Sequence, residues 1–119
     1  MKNEKFKVLQ YIRELIIRID KELLNFPKKS IEIKQRISSN VYDLLELSYE
    51  ANVTNTKERK IELLEKCMAK LKVIDFLLNL SYDDQLISNK KYLKLAEKID
   101  DTVKYITGWL NKIKATNGA

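Results

Sequence analysis

Seven apolar side chains recur three or four residues apart near the end of the chain: Tyr92, Leu95, Ile99, Val103, Ile106, Leu110 and Ile113. That spacing is the period of an α-helix, and it puts all seven on one face. The same pattern occurs three more times. It runs through Phe6, Leu9, Ile12, Ile16, Ile19 and Leu23, through Ile33, Ile37, Val41, Leu44 and Ser48, and through Ile61, Leu64, Met68, Leu71, Ile74 and Leu78. One proline and two glycines in 119 residues leave too little punctuation for an all-β or α/β chain. The pattern predicts an all-α fold. A chain of this length holds one shared core, so residues 1–119 are read as a single domain. Helices are expected at roughly 4–24, 27–52, 56–81 and 88–114, joined by short loops in an up-down-up-down four-helix bundle.

The breaks fall at "NFPKKS", "ANVTNTKE" and "SYDDQLIS". Pro27 suits the first turn of the second helix, where its missing N–H would have no partner. Asn55 is expected to cap the third helix in a capping box with Glu58, and Ser88 to precede the fourth. Apolar residues outside the minimal stripes widen them: Leu45, Leu63 and Leu77, and also Ile17, Leu47 and Leu80, which are candidates for contact with another subunit. Gly108 beside Trp109 points to helix packing. A glycine in a late helical turn costs about 1 kcal/mol relative to alanine, so a close approach covered by the indole is expected, within or between subunits.

The chain has no histidine, which removes the commonest general base, the commonest zinc ligand and the Glu-x-x-His motif of di-iron bundles. Asp83 with Asp84, and Asp100 with Asp101, are sequence neighbours that diverge by about 100° on a helix, so neither pair forms a catalytic dyad. Cys67 falls where the third stripe passes and reads as a small buried hydrophobe; a lone cysteine makes no internal disulfide. No enzyme activity, catalytic residue, metal or cofactor is expected. The stretch "IRELIIRIDKELL" is similar in cadence to the first helix of all-helical chorismate mutases. Arg13 and Arg18, five residues apart, share a face only in part, however, and no later stretch supplies a matching site. No apolar run reaches the roughly 20 residues of a membrane span, and the first residues lack a signal-peptide core, so the expectation is a cytoplasmic protein.

Charge is the informative signal. The formal net charge is +6, with a pI near 9.3, which favours anionic partners. The basic residues crowd into the first 36 positions, including Arg13, Arg18, Lys21, Lys28, Lys29, Lys34 and Arg36; the next twenty hold only the acids Asp43, Glu46 and Glu50. Lys28 and Lys29 stand at a helix start, where cations are disfavoured by roughly 0.3–1 kcal/mol each. With Lys34 and the free N–H groups of the helix start, they make an expected anion-binding turn. Lys90, Lys94 and Lys98, spaced i, i+4, i+8 and widened by Lys91, form a second candidate ridge, with only Tyr92 interleaved for stacking. Nucleic acid bound this way would be held by its backbone, with strong salt dependence and little sequence readout.

Three segments, "FPKKSIEIKQRI", "KCMAKLKVIDFLLNLSYDDQLIS" and "YLKLAEKIDDTVKYITGWLNKIK", together resemble the accessory variability determinant proteins of diversity-generating retroelements. These belong to a wider group of four-helix bundles that includes the 23S ribosomal RNA intervening-sequence proteins. The likeness is carried by Phe26, Pro27 and Lys28, by Gln35, Arg36 and Ile37, by Leu86, Ile87 and Ser88, and by Gly108 and Trp109. The resemblance implies a homopentameric ring with a basic surface that binds a reverse transcriptase together with RNA and cDNA, and that catalyses nothing itself. The wider group implies the alternative, an RNA-binding or adaptor protein associated with ribosomal RNA.

Overall fold

The computed structural model describes residues 3–116. Four α-helices, with no strand among the described residues, follow in order: α1 (Asn3–Leu23), α2 (Ile31–Val53), α3 (Lys57–Asp83) and α4 (Asn89–Ala115). Each packs on its neighbour in sequence and α4 closes against α1, and among the described residues the backbones do not approach closely across either diagonal, so the helices form a square bundle about 51 Å long. The α1–α2 and α3–α4 connections lie at one end and the α2–α3 connection at the other. No helix of the described residues is long and apolar enough to cross a membrane.

The stripes explain the core. Ile12, Ile19, Ile37, Val41, Leu44, Leu64, Leu71, Ile74 and Ile106 are fully buried. Three buried hydroxyls sit among them and stay satisfied within their own helices: Ser48 donates to the Leu45 carbonyl, Ser81 to Leu77 and Thr102 to Lys98. The expected stripes shift in places. Phe6 is 72% exposed, and Val8 and Leu15 complete the inner face of α1 instead. Leu63 is fully buried, whereas Leu45, Leu47 and Leu77 are half-buried against the core. Cys67 is buried as its position suggested, and desolvation pushes its thiol up to about 12.

Two boundaries differ from the sequence reading for local reasons. Pro27 does not enter α2: its backbone is extended (φ −68°, ψ 158°), and Lys28–Ser30 form a separate 3-10 turn before Ile31. Asn55 does not cap α3 and the box with Glu58 is not made. Thr56 holds the N-cap position in extended backbone, without a side-chain hydrogen bond. Ser88 does cap α4, accepting from the Lys91 N–H at 3.2 Å.

The end of α3 closes with two crossed bonds, Leu86 N–H to the Ser81 carbonyl at 2.8 Å and Gln85 N–H to the Tyr82 carbonyl at 2.9 Å. This motif needs a left-handed residue, and Gln85 supplies it at φ 63°, where a Cβ is unfavourable and glycine is at ease. Gln85→Gly is therefore expected to stabilise the protein by about 0.5–1 kcal/mol. The readout is a higher denaturant midpoint at unchanged m-value; a lower midpoint would show that the glutamine side chain outweighs its backbone strain.

Candidate nucleic-acid interface

In the turn between α1 and α2, two of the N–H groups near the lysines are already engaged. The Ser30 N–H bonds the Pro27 carbonyl at 2.9 Å, and the Ile31 N–H bonds that of Lys28, so N–H groups that would face an anion are engaged within the 3-10 turn. Lys28 and Lys29 are exposed, and the same end of the bundle carries Asp83 and Asp84. Arg36 pairs with Glu32 at 3.3 Å on the solvent face of α2. Lys34, two residues before it, points about 200° away around the helix. These cations do not converge.

Convergence occurs instead between α1 and α4. Closing the bundle lays Glu14, Ile17, Arg18, Lys21 and Glu22 of α1 beside Lys91, Lys94 and Leu95 of α4, lining one open groove. A second depression continues it along Arg18, Lys94, Glu97, Lys98 and Asp101. Lys98 forms an ion pair with Glu14, and Lys91 stands 3.5 Å from Glu22. The Lys98 ammonium, and after it the Gln10 amide, hold the Glu14 carboxyl below its ordinary value. With Glu14 and Glu22 engaged by Lys98 and Lys91, Arg18, Lys21 and Lys94 make no ion pair among the described residues. Along the whole groove five cations face four carboxylates, Glu97 and Asp101 included, and the slight excess of positive charge lies with Arg18, Lys21 and Lys94, where it favours an anion.

Of the other cations in the basic set, Lys90 is exposed at the first turn of α4. Arg13 is exposed but about 140° from Arg18 around α1, outside the groove.

Two unanticipated tyrosines line a neighbouring depression, which meets the groove at Asp101. Tyr11 and Tyr105 meet across α1 and α4 with ring centroids 4.7 Å apart and planes tilted by 54°. Lys98 Nζ lies 4.6 Å from the Tyr11 centroid and Lys7 Nζ 5.4 Å from that of Tyr105, both within cation–π range. The Tyr11 hydroxyl is raised above its ordinary value, chiefly by the neighbouring Tyr105 hydroxyl and then by burial and the nearby Asp101 and Glu14 carboxylates. The signal was a seven-residue interval: Tyr11 precedes Arg18 by two turns, and Tyr105 follows Lys98 by two turns. Tyr92, by contrast, faces α3. It stacks on Tyr82 at 5.5 Å and accepts from the Asn79 amide at 3.0 Å.

The residues proposed for packing divide into two groups. Trp109 is buried within its own bundle, while Gly108 is half-buried and lines a depression with Tyr11, Asp101, Lys104 and Tyr105. Ile17 is 60% exposed and Leu80 lies at the surface in line with Val73 and the 61% exposed Phe76, an apolar ridge along the outside of α3. Leu47 floors a groove between α2 and α3 with Ala69 and Val73.

The fold and the groove define a four-helix bundle with a cationic, tyrosine-lined face. No protein-family model, curated protein or solved structure matches the chain.

Proposed function

We propose that this protein is a non-catalytic accessory protein of a diversity-generating retroelement, which binds the reverse transcriptase and its template RNA and cDNA to support mutagenic copying. The observation that carries the nucleic-acid part is the α1–α4 groove, where Arg18, Lys21 and Lys94 stand without carboxylate partners. The retroelement assignment rests on the resemblance of the three quoted segments. Assembly into a homopentamer, which that resemblance implies, is supported by the Val73, Phe76 and Leu80 ridge, apolar area that one bundle leaves in water.

The test is fluorescence anisotropy of a labelled unstructured RNA as salt rises. Three phosphate contacts on a single strand predict a log–log slope of about −2. Absence of binding at 50 mM salt removes the nucleic-acid reading. Light scattering on the 14.0 kDa chain and co-purification with a reverse transcriptase test the other two parts. A monomer or dimer defeats the pentamer, and a polymerase that fails to co-purify defeats the retroelement assignment.

A further inference from the structure

We infer that the depression bounded by Tyr11, Asp101, Lys104, Tyr105 and Gly108 is a nucleobase subsite, so that the groove takes single-stranded rather than duplex nucleic acid. This rests on the reading of the groove as a nucleic-acid surface and narrows its substrate. The depression adjoins the α1–α4 groove at Asp101, which lines both. A strand whose phosphates follow Lys21, Arg18 and Lys94 is thereby led to the tyrosine pair.

Each element of the depression suits an unpaired base. Tyr11 and Tyr105 supply aromatic surface already held rigid by their mutual contact at 4.7 Å. Lys98 covers one face of Tyr11 and Lys7 one face of Tyr105, so a base would take the ring surface that remains open to the depression beside Gly108, with positive charge close by. Asp101 is an acceptor for the amino and imino donors on a base edge, and Lys104 is a cation beside it. Gly108 then has a reason. Among non-proline residues glycine is the poorest helix former, yet it sits inside α4 one turn beyond Tyr105, where any side chain would occupy the space that a flat ring needs. In a duplex the base faces are covered by their neighbours, so only a single strand can use such a surface.

Gly108→Leu tests this without removing charge or endangering the fold, since leucine is much the better helix former. Three probes of equal phosphate number are compared by anisotropy: a single-stranded adenine oligonucleotide, its duplex, and an abasic strand. The wild type is expected to bind the single strand about tenfold more tightly than the abasic strand. Gly108→Leu and Tyr105→Leu are expected to erase that difference, and Tyr105→Phe, which keeps the ring, to preserve it. Equal binding of all three probes by the wild type, with affinity still lost on charge reversal at Arg18 and Lys94, overturns the base subsite and leaves the groove reading standing. No binding of any probe at 50 mM salt overturns both.

Discussion

Replacing Arg18 and Lys94 together by glutamate is expected to weaken RNA binding by about 100-fold at 50 mM salt and to flatten the salt slope by between one and two. Both side chains line the same stretch of groove and neither has a carboxylate partner, so their charge is available to phosphate. Reversal removes two counterion-releasing contacts and adds repulsion where a strand would run. Because both residues are at the surface and outside any ion pair, stability should change by less than about 0.5 kcal/mol, which melting can verify. The decisive control is Lys66→Glu with Lys72→Glu on α3, which changes net charge equally on another part of the surface. If the control loses as much affinity, binding follows the overall charge of the molecule and the groove has no special role.

The second large effect concerns the core. Leu71 is fully buried in the middle of α3, among side chains from the facing helices. Leu71→Ala is expected to cost about 2–5 kcal/mol, through lost transfer energy and the cavity left behind. For a bundle of this size that is a drop in melting temperature of roughly 10–20 °C. Leu71→Met, which conserves volume, should cost less than about 1.5 kcal/mol. Phe76→Ala, five residues on but facing solvent, should change a monomer's stability by less than about 0.5 kcal/mol. If Phe76→Ala destabilised the protein at high concentration and not at low, the α3 ridge would be covered by another subunit, because only an interface makes stability depend on concentration.

The helices could be read from the sequence because periodicity is local. Ile37, Val41 and Leu44 announce their own face, and Ser88 its own cap, whatever the rest of the chain does. The turn at Pro27 is not legible in sequence, because proline is compatible both with a first helical turn and with the extended residue before a 3-10 turn. Asn55 and Glu58 have capping-box spacing, but the box depends on backbone angles that spacing does not encode. The groove was half legible. Lys94 and Lys98 could be seen as a ridge on α4, but the pairing of Lys98 with Glu14, and the meeting of Tyr105 with Tyr11, are products of which helix lies next to which. Lys28 and Lys29 looked more prominent because they are adjacent in sequence; adjacency in space favoured Arg18 and Lys94.

The bond from Lys98 to Glu14 joins residues 84 positions apart, so the groove has no precursor in any contiguous fragment of the chain. A folding intermediate made of α1, α2 and α3 would hold two of the five groove cations and one of the two rings. Loop closure across most of the sequence must come before the site exists. A ligand in the groove would then act as a clasp between α1 and α4, adding its binding energy to the closed bundle alone. Occupancy would be felt as slower opening of that seam, leaving the α2–α3 half of the bundle nearly unchanged.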